Sequence, residues 1–225
     1  MAVIHRTTLT PTKLELLAPW LPERPWYRGA GRSPEPSELA RGGGFRLDDP
    51  EGEVGIEFLV VTDASGGRTA SYHVPLTYRG APLEEAGAGL IGTAEHGVLG
   101  RRWVYDGVHD PVLADRLLAL LRGRAEPQAQ SLSDTPDPSV LVRAAAVPGG
   151  AAGPATVTDG PESTALVLPT AAEAGPGPRV AVEVARVLDP GPDPAGTLGH
   201  VTGNWRLPDG GERSGVLALL RDAPR

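Results

Sequence analysis

The cleanest polar–apolar alternation in the chain runs from Thr69 to Tyr78. Ala70, Tyr72, Val74, Leu76 and Tyr78 share one side; Thr69, Ser71, His73 and Thr77 share the other. Upstream, Val54, Ile56, Phe58 and Val60 recur at every second position with Glu57 on the opposite face, and residues 63–67 (DASGG) supply a turn. Successive side chains of a strand point to opposite faces, so the pair predicts an antiparallel hairpin with one face on a core and one in water. Pro75 has no N–H to give a ladder, which predicts an edge position or a bulge for its strand. Gly100 to Tyr105 reads as a further strand.

The period then changes. Leu113, Leu117, Leu120 and Leu121 recur at helical spacing between Asp110, a good N-cap, and Gly123, which suits the C′ position. Pro111 fits the first helical turn, so a helix is predicted over 111–122 with its leucine stripe on the sheet. Thr12 and Glu15 form a capping box ahead of Leu14, Leu16 and Leu17, and Pro19 is expected to stop that short helix. Residues 2–9 read as a short strand. Residues 28–44 read as a turn-rich loop in which SELAR forms one helical turn.

Residues 124–138 form a polar, proline-containing linker. Beyond it the chain has β character at 139–146, 164–168, 180–188 and 198–207, where Val201, Trp205 and Leu207 face one way. A turn at Pro208 to Gly211 and a returning strand at 213–221 close a hairpin. Residues 148–162 and 170–179 read as loops. The fold class is α+β: a curved antiparallel sheet with one or two packed helices over 1–123, then a β-rich segment over 139–225. That segment holds few large apolar side chains for a core of its own, which predicts that its strands add to the first sheet.

Composition narrows the function classes. The 21 basic and 28 acidic residues give a formal charge of −7, which argues against nucleic-acid binding. Cysteine is absent, which excludes disulfides and thiolate zinc sites and fits a reducing compartment. No signal-peptide pattern opens the sequence, and no apolar run reaches the ~20 residues of a membrane helix. A cytoplasmic protein without a membrane partner is expected. Lys13 is the only lysine, and the abundance of Arg, Gly, Ala and Pro fits a GC-rich genome.

Candidate chemistry is sparse. Glu95, His96, Asp106, His109 and Asp110 carry ligand-type side chains, but Asp110 is accounted for as a helix cap and Asp106 as a turn residue before Gly107. There is no G-x-S-x-G elbow, no cysteine nucleophile and no GxxxxGK[ST] loop. No catalytic residue, metal ligand or cofactor is therefore assigned. Trp20, Trp26, Tyr27, Trp103 and Tyr105 are interleaved with arginines. Core packing is the expected role of Trp103 and Tyr105, and exposure is expected for one of Trp20 and Trp26, which flank prolines. The candidate ligand or partner surface is Trp20, Trp26, Tyr27, Arg32, Arg102, Trp103, Tyr105, Asp106 and His109.

Residues 19–32 (PWLPERPWYRGAGR) and 95–121 (EHGVLGRRWVYDGVHDPVLADRLLALL), with YHVPLTYR (72–79) and LIGTAE (90–95), resemble the N-terminal cap of actinobacterial maltokinases. That family opens on a pattern like W-L-P-x-x-R-W-(F/Y)-x-G-K-x-R. Trp20, Leu21, Pro22, Trp26, Tyr27, Gly29 and Arg32 match it; Pro25 replaces its first arginine, and Ala30 or Gly31 its lysine. The resemblance spans roughly residues 15–123. In the family the cap precedes a kinase body with a phosphate-holding lysine, an H-G-D-x-H-x-x-N loop and a magnesium-binding aspartate. No lysine follows Lys13 here, and no His-Gly-Asp occurs.

The resemblance therefore implies a non-catalytic binding or regulatory protein linked to maltose, trehalose and glycogen metabolism. Its partner would be a cytosolic protein of that metabolism or a small carbohydrate. Two rival readings are a small enzyme acting on sugars or sugar phosphates through the His96–His109 region, and a carbohydrate-binding module using Trp20 or Trp26.

Overall fold

Thr12 opens the first helix as its side chain predicts: its Oγ1 accepts from the Glu15 N–H at 3.3 Å, and the Glu15 carboxylate accepts from the Thr12 N–H at 2.7 Å. The computed structural model of the protein describes residues 8–29, 33–145, 149–172, 175–191 and 194–223. Residues 2–7 of the expected first strand lie outside these; strand β1 is Leu9–Thr10 and helix α1 is Lys13–Trp20. Pro19 sits inside the last turn of α1 instead of ending it. Its missing N–H falls where the helix is already tightening into a 3₁₀ turn over Leu21–Glu23.

Strands β2 (Leu39–Leu47), β3 (Gly55–Asp63), β4 (Ala70–Arg79), β5 (Leu90–His96) and β6 (Gly100–Asp106) come next, then helix α2 (Pro111–Leu121) and strand β7 (Gln128–Ala129). They form a seven-stranded antiparallel sheet in the order β1-β5-β6-β4-β3-β2-β7. The expected loop at 28–44 is thus partly strand, because its glycines make a bulge. The register shifts between Arg41 and Gly43, and Gly44 has φ +125°, where a Cβ would lie 1.9 Å from the Phe58 carbonyl oxygen. The expected linker also contributes a strand: β7 pairs Gln128 with Arg46 at the sheet edge.

The remaining strands are β8 (Leu141–Arg143), β9 (Thr156–Asp159), β10 (Ser163–Ala172), β11 (Gly175–Ala185), β12 (Gly199–Arg206) and β13 (Glu212–Asp222). The expected loop at 170–179 is therefore largely strand, and the one at 148–162 contains β9. These six form a sheet of their own, ordered β8-β12-β13-β11-β10-β9, and not an extension of the first. The scarcity of large apolar side chains is met by sharing a core across sheets. Phe45, Phe58 and Val60 of the first sheet, Leu113, Leu117 and Leu121 of α2, and Leu166, Val182, Trp205 and Leu220 of the second belong to one buried cluster. A second cluster lies on the outer face of the first sheet, where Leu17, Trp20 and Trp26 pack on Leu59, Tyr72 and Val74.

Helix α2 begins as expected. Asp110 caps it by accepting from the Val112 N–H at 3.0 Å, and also takes a bidentate pair from Arg79 at 2.7 Å. Gly123 has φ +66° at its C′ position. Among the described residues no helix is long and apolar enough to cross a membrane.

Sandwiching changes the environment of β4 most. The polar face expected in water is buried: His73 and Thr77 are 0% exposed and Ser71 6%, because the second sheet lies over them. Pro75 is tolerated on an interior strand for a related reason. Along one edge of β4, β6 pairs only with Leu76–Arg79, while the Arg186 and Leu188 backbone groups bond to His73 and Ser71. Pro75 falls at the junction between these two neighbours, where no donor is required.

Burial of His73, with the Arg186 guanidinium adding to it, lowers its pKa to about 3. The imidazole stays neutral in the folded protein at a pH where the unfolded chain, near 6.5, already binds a proton. Stability is therefore fully present above pH 6.5 and falls as pH drops towards 3, by about 1.4 kcal/mol per pH unit inside that window. Urea melts between about pH 7 and 5 are expected to show this slope in the natural protein and a flatter one in His73→Gln. Parallel slopes would contradict the assignment.

Candidate functional site

The two sheets meet at a buried ionic seam that the sequence did not signal as a site. In the run Val180, Val182, Val184, the next inward position is Arg186, which is 0% exposed. Its Nη2 donates to Asp106 Oδ2 at 2.6 Å and its Nε to Thr164 Oγ1 at 2.7 Å. Its guanidinium carbon stands 5.1 Å from the centre of the Trp26 ring. The Arg186 carbonyl accepts from the His73 N–H at 2.9 Å, and His73 Nδ1 faces the Ala185 carbonyl at 3.1 Å. The seam therefore joins the end of β6, the middle of β4 and the tryptophan loop to the second sheet. An arginine at inward strand parity was the signal available in the sequence.

The tryptophan loop is held from within. Trp20 and Trp26 meet edge to face at 5.8 Å, and Trp26 and Tyr27 each pack on Tyr72, at 5.9 and 5.5 Å. Neither tryptophan is exposed as expected: Trp26 is 0% and Trp20 7% accessible. Burial of both removes the reading in which one of these indoles stacks on a sugar. Tyr27 is half-buried and donates to Asp63 at 2.8 Å; burial, reinforced by that carboxylate, raises its pKa to about 12. Arg32 lies outside the described residues.

The other candidate residues separate along β6. Tyr105 is buried, and its hydroxyl accepts from the Leu83 N–H at 2.8 Å. Trp103 is half-buried, less enclosed than the core role expected for it. Arg102 donates to the Leu99 carbonyl, while its neighbour Arg101 pairs with Glu95 at 3.0 Å. His109 packs against Gly89, where a Cβ would meet the ring at 2.7 Å. His96 sits at the β5–β6 turn, where its Nδ1 accepts from the Leu99 N–H at 3.0 Å. The strand from Gly100 to Asp106 separates His96 from Asp106 and His109 by its whole length, about 20 Å. The two histidines do not converge, and Asp106 is taken by Arg186. Among the described residues no group of three His, Asp or Glu side chains is placed to hold a metal.

Beside the seam, at the end of the sandwich, opens a cleft of about 470 Å³. Arg28, Arg68, Thr69 and Ser71 line it from the first half of the chain, and Val187–Pro190, Trp205, Leu207 and Arg213 from the second. Arg28 is tied to Glu162 and lies 3.8 Å from Asp189. Trp205 Nε1 donates to Ser71 Oγ at 3.1 Å across the sheets.

The buried pair sets a testable asymmetry. Nη1 of Arg186 and Oδ1 of Asp106 are buried without partners among the described residues, so the pair is only partly compensated. Asp106→Ala leaves an isolated buried cation and is expected to cost about 3–5 kcal/mol in denaturant melts. Adding Arg186→Met removes that cation and is expected to recover most of the loss. A double variant as unstable as Asp106→Ala alone would show that the charge is not the reason.

The first-sheet side of this geometry, from the tryptophan loop through the β3–β4 hairpin to Asp106 and the Asp110 cap, coincides with the stretch that matches a family model. Residues 20–110 match the family model of the maltokinase N-terminal cap domain.

Proposed function

We propose that this chain is a non-catalytic binding or regulatory protein built on the cap domain. It acts in the cytoplasm beside maltokinase-type enzymes of maltose, trehalose and glycogen metabolism. The observation that carries the reading is the nature of the segment downstream of the cap within these 225 residues. A second β-sheet shares the cap's core, and its sequence supplies neither a phosphate-holding lysine nor a His-Gly-Asp loop. Positioning and charge neutralisation are nearly the whole of phosphoryl-transfer catalysis, so a chain without those groups has no means of performing it.

A protein partner is favoured over a sugar stacked on the tryptophan loop, since Trp20 and Trp26 are consumed by packing. Half-buried Trp103 is a candidate contact that remains at the surface; aromatic side chains are common anchors of interfaces. The purified chain is expected to transfer no phosphate from Mg-ATP to maltose, and to bind a maltokinase-type enzyme in titration calorimetry. Trp103→Ala is expected to weaken that binding by about tenfold or more. Maltose phosphorylation by the chain itself, or unchanged affinity in the variant, would overturn the proposal.

A further inference from the structure

The cleft beside the seam has a chemistry that the cap domain by itself does not explain. Its charge is opposite to that of the molecule. The chain carries −7 overall, yet Arg28, Arg68 and Arg213 converge on one opening where Asp189 is the lining carboxylate among the described residues. Arg28 is partly neutralised by Glu162 and Asp189. Arg68 is exposed with no carboxylate partner among the described residues. Arg213 donates from Nη1 at 2.9 Å to the Glu212 carbonyl, the Glu212 carboxylate being taken by Arg206. Two guanidinium groups therefore face the cleft with their charge uncompensated.

The walls divide into polar and apolar parts. Ser71 Oγ accepts from Trp205 Nε1, which leaves its own O–H free to donate to a ligand; Thr69 adds a second hydroxyl. Val187, Leu188, Pro190 and Leu207 add an apolar part to the lining. A volume of about 470 Å³ suits a small organic molecule, and paired arginine forks match the oxygens of a phosphate. The apolar wall gives a bare ion nothing to bury against.

We propose that this cleft is a binding site for an organic phosphate, a phosphomonoester on a small sugar-sized or nucleoside-sized body, held by Arg68 and Arg213. The walls come from both halves of the chain: Arg68, Thr69 and Ser71 lie on the cap segment, and Arg213 and the apolar wall on the second half. Occupancy bridges the two sheets and stabilises their union by ligand linkage.

The test is titration of the full chain with glucose 6-phosphate, adenosine monophosphate, inorganic phosphate and glucose, each monitored by calorimetry and by thermal melting. At least one of the two organic phosphates is expected to bind and to raise the melting temperature; which one does so distinguishes a sugar from a nucleoside body. Inorganic phosphate is expected to bind more weakly, and glucose not at all. Arg68→Ala with Arg213→Ala removes two exposed side chains, so the unliganded melting temperature is expected to hold while affinity falls about tenfold or more. Silence towards both organic phosphates overturns the proposal. So does equal binding of inorganic phosphate, or full affinity in the double variant.

Discussion

The structure depends on one buried ion pair at the joint between two sheets. Arg186 reaches out of the second sheet to Asp106 at the end of β6, with Thr164 on its Nε and the Trp26 ring beside its guanidinium. Such a pair gives little net stability, since the desolvation of two charges offsets most of their attraction. It does, however, favour this arrangement: a placement that separated the two groups inside the core would leave a cation or a carboxylate buried alone. The pairing of Arg186 and Leu188 backbone groups with β4 extends that constraint along the strand.

Most other features of the joint depend on it. Because the second sheet is held over β4, His73 and Thr77 lose water, and the imidazole is held neutral. Because the 186–188 segment occupies one edge of β4, Pro75 needs no donor there. Because both sheets bury their inner faces together, a segment with few large side chains still acquires a core, with Trp205 and the α2 leucines at its centre. The arginine cleft is the open end of the same joint, which is why its walls come from both halves of the chain.

The cap domain and the second sheet bear on function together. Residues 20–110 match the cap-domain model, but the inner face of their sheet is not left free for a partner, since the second sheet covers it. What remains available is the outer rim: half-buried Trp103 on one side, and the cleft with Arg68 and Arg213 on another. A protein partner and a small anion would thus meet different surfaces and need not compete.

The features legible without the fold are local. The capping box at Thr12 and Glu15, the Asp110 cap with Pro111 and Gly123, and the alternation from Val54 to Tyr78 are satisfied within a few residues, so they were legible without the fold. The order and spacing of the short motifs carried the likeness to the cap domain in the same way. What each face meets depends on long-range packing. His73 and Ser71 have the polar pattern of a wet face, and only a second layer arriving from about 100 residues downstream buries them. Trp20 and Trp26 flank prolines, where one of them reads as exposed, yet Tyr72 and Arg186 enclose Trp26, and Trp26 and Arg24 cover Trp20. The partnership of Arg186 with Asp106, and the convergence of Arg28, Arg68 and Arg213, join residues far apart in the chain. No periodicity encodes such contacts, because they exist only once the two sheets have packed.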